Sequence, residues 1–398
     1  MIKEIRDRYN REFTKEKYEA FLKNLEDTYN KEVVFRVPET PIFIDKKLKQ
    51  KLIDASEQIV DVICRPDFKE LTKGAIPKQY DVKNENDHTH FICIDFGICK
   101  DEQGEFTPQL IELQGFASLY AWEDLIGKKY KEFFYCPENF THFFNGLNSD
   151  SYISLLKKVV LGKHAPENVI LLEIKPHEQK TRIDFYATED KLGIEIVNLS
   201  ELIQEGRKLF YKKDGKEIEV KRIYNRIIFD DLEAEAHKDF KYSINLFDDL
   251  DVEWVAHPNW FYRISKYTMP FLKSDFVPQT SFLNKIKTIP VDLENYVLKP
   301  LFSFSGQGVI IDVKPEDIEN ISDKENWILQ RKVQYAEAVQ SPEGGVKCEV
   351  RMMYLWPDGD ARPTLATNLS RMSRGKMIGV RYNAEFTWVG GNIAFFEG

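Results

Sequence analysis

The chain has 398 residues, 42 % of them hydrophobic and 30 % charged, with a formal net charge of −9. That length provides for a large core in roughly two or three structural units, and the acidic balance speaks against a nucleic-acid binder. Five scattered cysteines with no CxxC pair exclude a disulfide framework or zinc knuckle. The longest apolar runs, such as residues 169–172, are strand-sized, so no membrane partner is expected. The charged start MIKEIRDRYNREF lacks the apolar centre of a signal peptide, and the expected compartment is the cytoplasm.

Residues 4–29 read as one amphipathic helix, with Ile5, Tyr9, Phe13, Tyr18, Phe21 and Leu25 near helical spacing. Residues 48–64 read as a second, ended by Pro66. Between 91 and 114, FICIDFGI and PQLIELQ flank Asp101-Glu102-Gln103-Gly104, a hairpin signature. Helical, aromatic-rich segments fill 121–162. From Asn168 the chain alternates: a strand over 169–174, a helix around Thr181, a strand over 182–188, a helix over 199–205 and strands near Leu209 and over 217–224. This is a small α/β unit with a parallel core. Surface helices are expected over 201–208 and 230–240. Pro258, Pro270 and Pro278 then punctuate the approach to a strand-rich last quarter.

Alternation along a strand puts Phe91, Cys93 and Asp95 on one face and Ile92, Ile94 and Phe96 on the other. On the return strand Glu112 and Gln114 share a face, and Asp95 falls across from 110–112. Two carboxylates and a carboxamide thus converge, either as hard oxygen ligands of the kind Mg²⁺ takes or as a solvated acidic face. In YVLKPLFSFSGQGVIID (296–312) a strand delivers Lys299 to a turn of Ser303, Ser305, Gly306, Gln307 and Gly308, and a second strand follows. These residues make either a phosphate cover, whose glycines let backbone N–H groups approach an anion, or a plain hairpin turn. In KCEVRMMYLW (347–356), Lys347, Glu349 and Arg351 share a face. Arg351 there is a phosphate-reaching guanidinium or half of a surface pair with Glu349. Lys266, in NWFYRISKYTMPFL, falls in a helical, aromatic stretch. The run NLSRMSR (368–374) sets Arg371 and Arg374 in a Ser/Asn-rich loop, as an anion site or a solvated turn.

Three stretches together resemble the ATP-grasp superfamily, in its circularly permuted group that includes glutathionylspermidine synthase. FICIDFGICKDEQGEFTPQLIELQ resembles that family's metal-binding hairpin, HPNWFYRISKYTMPFL its lysine-bearing nucleotide helix, and YVLKPLFSFSGQGV its lysine strand and glycine lid. The order is permuted, because Glu112 precedes Gly306. The resemblance implies a mixed α+β and α/β fold of the permuted ATP-grasp type, with a small Rossmann-like unit. It implies an N-terminal helical region over 1–80, a metal-binding hairpin and helices over 81–162, a substrate unit over 163–250 and a nucleotide lid and core over 251–398. Mg²⁺ would rest on Asp95, Glu112 and Gln114, and ATP on Lys266, Lys299, Ser305, Gly306, Gln307, Gly308, Gln330, Val333 and Arg351, with Lys299 and Arg351 catalytic. The implied reaction is ATP-dependent ligation of a small-molecule or peptide carboxylate to an amine. The alternatives are a non-catalytic ATP-binding protein and a small-molecule kinase. Two positions depart from the family: Gln114 stands for its Asn, and Cys93 for an arginine two residues before the metal-binding Asp.

Overall fold

The computed structural model describes residues 2–236, 240–302, 306–375, 378, 383 and 385–398. The fold is a mixed α/β arrangement of several sheets and helices. Its centre is an antiparallel sheet in the order Gly390–Asn392, Thr364–Ser373, Gly344–Leu355, Phe91–Lys100, Phe106–Gln114. Alternation decides what each face does. Ile92, Ile94, Phe96, Ile98, Val350, Met352 and Tyr354 form one apolar face, buried with Leu48, Leu52, Ala55 and Ile59 of helix Lys46–Ile63. Asp45 starts that helix, its carboxylate accepting from the Leu48 N–H at 2.9 Å. On the other face Phe91, Cys93, Met353, Leu355, Ala366 and Leu369 pack under the α/β unit. Further along that face the alternating positions become Asp95, Glu349, Arg351 and Arg371.

The α/β unit is a parallel sheet, ordered Glu253–Val255, Arg222–Asn225, Val169–Glu173, Glu195–Asn198. The expected strand over 182–188 is instead the start of helix Arg182–Leu192, closed by Gly193 at φ 75°. Ile183, Phe185 and Ala187 alternate as a strand would. Asp184 and Thr188 are also buried, however, because the helix is packed on several sides and shows no period that reveals it. The expected helix over 199–205 is a single 3₁₀ turn, Leu199–Glu201, followed by strand Ile203–Glu205. The helix expected over 4–29 is two, Lys3–Glu12 and Lys15–Tyr29. Phe13 is extended, and Thr14 caps the second by accepting from the Lys17 N–H.

A smaller antiparallel sheet, ordered Thr280–Phe282, Trp327–Arg331, Tyr296–Pro300, Ile310–Ile311, carries the lysine strand. Ile42–Ile44 pairs in parallel with Ala394–Glu397. Among the described residues, no helix is long and apolar enough to cross a membrane.

Candidate functional site

The polar end of the central sheet's second face meets the lysine strand. Asp95 pairs in register with Glu112 on one side and Arg351 on the other, beside an irregularity between Asp95 and Phe96. Arg351 grips Asp95 with two hydrogen bonds, Nε to Oδ1 at 2.5 Å and Nη2 to Oδ2 at 2.7 Å. Arg371, from the next strand, adds Nη2 to Oδ2 at 2.5 Å and reaches Glu349 at 2.9 Å. The Tyr335 hydroxyl donates to Glu349. Burial pushes the Asp95 carboxyl upward, but Arg351 and Arg371 outweigh it and hold it below its ordinary range. Burial raises Glu349, against the pull of Arg371.

Facing this network, Lys299 is 7 % exposed and Lys266 5 %. Lys299 Nζ donates to the Ile111 carbonyl at 3.1 Å. Burial lowers Lys299 to about 8, with Glu112 opposing and Lys266 adding to the fall. Burial also lowers Lys266, again against Glu112. Two ammonium groups are thus desolvated beside one acid and repel each other, which costs free energy that a polyanion would offset. Lys266 owes its place to a close backbone approach. Gly115 donates to the Ile264 carbonyl at 2.9 Å, and a Cβ there would stand 2.5 Å from the Trp260 carbonyl oxygen. Gly115→Ala should therefore separate the acidic strand from helix Pro258–Arg263, destabilising the protein by about 1–3 kcal/mol in a denaturant titration.

Of the residues singled out from sequence, the structure brings together Asp95, Glu112, Gln114, Lys266, Lys299 and Arg351. Gln114 Nε2 donates to Glu112 Oε1 at 3.1 Å. Gln330 is buried next to the hairpin, its amide donating to the Leu110 carbonyl at 3.3 Å, and half-buried Val333 lies just beyond its strand. Gly306, Gln307 and Gly308 form a turn, with both glycines at φ 70°, a conformation that suits residues without a Cβ. Ser305 lies outside the described residues. Arg371, expected in a loop, is on strand Thr364–Ser373 and belongs to the network. Lys266 sits at the start of a 3₁₀ segment after the helix, buried and not solvated. Cys93 points into the second core, its Sγ 3.4 Å from the Tyr120 hydroxyl, and burial raises its thiol.

Sequence reasoning missed a second polar spot. In the parallel sheet, the chain runs from Val169–Glu173 to its neighbour on one side and from Arg222–Asn225 to its neighbour on the other. Ligands of such sheets bind at the carboxyl ends of the strands, where direction switches in this way. Glu173 ends one of these strands and Arg226 follows the other. The Arg226 guanidinium lies over Phe116 and Phe185, 5.0 and 5.4 Å from their centroids. Its Nε and Nη1 are buried with no hydrogen-bond partner among the described residues. Burial lifts Glu173 to about 8, with Arg226 opposing. The available signal was an arginine directly after a strand of an α/β unit.

The residues meet the Mg²⁺ that the resemblance brings only in part. Both Asp95 oxygens are engaged by guanidinium groups, so Asp95 does not fit as a ligand, whereas Glu112 and Gln114 are bonded to each other and could offer only the oxygens that bond does not use. Among the described residues, no group of three or more His, Cys, Asp or Glu side chains is arranged to hold a metal ion.

This arrangement is consistent with an ATP-grasp-like fold. The comparison rests on a glutathione synthetase-like effector from Globodera pallida, solved in its apo form. It matches with a TM-score of 0.57 and 10 % identity over 95 % of this chain and 96 % of that one. At that identity the likeness concerns the fold. No family profile and no curated protein matches the sequence.

Proposed function

We propose that the chain is a circularly permuted ATP-grasp ligase that joins a carboxylate to an amine through an acyl phosphate. The observation that carries this reading is the pair of buried lysines, Lys266 and Lys299, set beside Glu112 and opposite Arg351 and Arg371. Four cations face three carboxylates (Asp95, Glu112, Glu349), so the enclosed site has one positive charge in excess. Residues 251–398 would supply the nucleotide lid and core, residues 163–250 the substrate unit, and residues 81–162 the acidic hairpin and its helices. Glu112 with Gln114 would meet a magnesium ion carried on the nucleotide, where the ion would offset phosphate charge.

In the proposed reaction a substrate carboxylate oxygen attacks the γ-phosphorus, and the bond to the β,γ-bridging oxygen breaks to release ADP. The amine then attacks the acyl carbon, the acyl C–O bond to phosphate breaks, and the nitrogen loses a proton. Lys266 and Lys299 would neutralise the nucleotide's phosphates, and Arg351 and Arg371 the phosphoryl group in transit. The turn at Gly306-Gln307-Gly308 would cover them with backbone N–H groups. Gln330 and Val333 would lie along adenine, and Arg226 would anchor an acidic group of the substrate.

One observation favours a second reading, nucleotide binding without turnover: Cys93 is turned into the core and supplies no charge to the site. A single assay separates the readings. With ATP, a panel of carboxylates and hydroxylamine as trap, a ligase yields ADP and a hydroxamate. A kinase yields a stable phosphorylated product, and a binder takes up ATP in calorimetry with no ADP. Absence of ATP binding overturns the nucleotide reading altogether.

A further inference from the structure

We propose that Asp95 is a positioning residue: it holds Arg351 and Arg371 as a two-guanidinium clamp for phosphate and does not ligate a divalent cation. This rests on the nucleotide reading above and assigns, within that site, which residue handles which charge.

The strand pairing fixes the arrangement. Asp95 stands opposite Arg351 in the ladder, and Arg371 stands opposite Glu349. Asp95 Oδ1 accepts from Arg351 Nε at 2.5 Å, and Oδ2 accepts from both Arg351 Nη2 at 2.7 Å and Arg371 Nη2 at 2.5 Å. Magnesium approaches its oxygen ligands to about 2.0–2.1 Å. At Asp95 it would take the single acceptor position that these three hydrogen bonds leave over, and would settle beside two positive charges in a buried setting. Asp95 is 1 % exposed, Glu349 4 % and Arg351 6 %, so solvent does little to screen that repulsion.

The same Arg371 Nη2 lies 2.9 Å from a Glu349 oxygen, and Glu349 in turn accepts from Tyr335. Two carboxylates, Asp95 and Glu349, thus share one Arg371 nitrogen and fix that arm of the clamp. The clamp also keeps a donor in reserve: Arg371 Nε is buried with no hydrogen-bond partner among the described residues. A phosphate oxygen would satisfy it.

The test is calorimetric titration of ATP into the full chain, wild type and Asp95→Asn, once in EDTA and once in excess Mg²⁺. A clamp predicts that Mg²⁺ changes the affinity by the same factor in both proteins, within about twofold. It also predicts that affinity in EDTA rises several-fold in Asp95→Asn, because two guanidinium groups lose their counter-charge. A metal ligand predicts that the Mg²⁺ effect shrinks by about tenfold or more in Asp95→Asn, and that result overturns the assignment while leaving nucleotide binding intact. Arg371→Gln gives the same decision if Asp95→Asn does not fold. The clamp predicts an equal loss of affinity with and without metal, and a loss that Mg²⁺ restores overturns it. Wild-type protein that binds no ATP in either buffer sinks the nucleotide reading and the clamp together.

Discussion

Lys299→Met is expected to lose ATP binding by at least about a hundredfold and, at the same time, to make the free protein harder to unfold. Both effects come from one cause. The Lys299 ammonium is buried, its pKa lowered from 10.5 to about 8, so folding at neutral pH keeps a charge where charge is disfavoured. The corresponding cost is roughly 3 kcal/mol. Methionine fills similar volume without the charge and should recover up to that amount. The sign of the pH dependence follows directly. Between about pH 8 and 10.5 the unfolded chain holds the Lys299 proton and the folded chain does not, so wild-type stability from this group rises across that window. The gap between variant and wild type should be full at pH 7, shrink through pH 8 to 10, and be nearly closed only above about pH 10.5. A polyphosphate pulls the other way. ATP binding near pH 8 should take up a proton, seen as a dependence of the calorimetric enthalpy on buffer ionisation enthalpy. Affinity should fall as pH rises further. A Lys299→Met protein that binds ATP normally, or that is less stable at pH 7, removes Lys299 from the site.

Asp184→Ala should be among the most destabilising single changes outside the site, by about 3–5 kcal/mol. Asp184 caps helix Tyr120–Phe133 from a distance. Its carboxylate accepts from the N–H groups of Leu119, Ala121 and Trp122 at 3.1, 2.9 and 3.0 Å. Leu119, at the N-cap position, is left-handed (φ 63°) and makes no side-chain cap. Alanine would strand three amides in a buried place, whereas asparagine keeps one acceptor oxygen and should cost about half as much. Equal losses in the two variants, measured by urea unfolding, would show that the charge and not the acceptor count matters.

Much of the site's local geometry was legible in the sequence. FICIDFGI and PQLIELQ announce a hairpin by their own alternation, and the same alternation sets Asp95 and Cys93 on the face opposite Ile92 and Ile94. Lys299 at a strand end could be read in the same way. Partnerships between distant strands could not. Nothing near Arg371 says that it will sit across from Glu349, so NLSRMSR looks like a polar loop. Asn368 is buried in the strand and its amide donates to the His142 and Ala394 carbonyls, which lie far from it in sequence. Helix Arg182–Leu192 was misread because buried surroundings on several sides erase amphipathic contrast. The burial of Lys266 has no local signal, because its aromatic neighbours in sequence do not reveal that Gly115 draws a second backbone against them.

The central sheet has a consequence for how the chain is made. Asp95 waits for Arg351, 256 positions later, and Ile42 pairs with Ala394 only when the last strand emerges. At ribosomal speeds the acidic hairpin leaves the exit tunnel many seconds before the strand that completes its sheet. During that interval it presents an unpaired edge and an unneutralised carboxylate. Non-local closure of this kind is slow even in the finished chain. Yield in a heterologous host should therefore respond to growth temperature and chaperone supply, and a stop codon shortly before residue 394 should leave a product that does not settle into a native state at all.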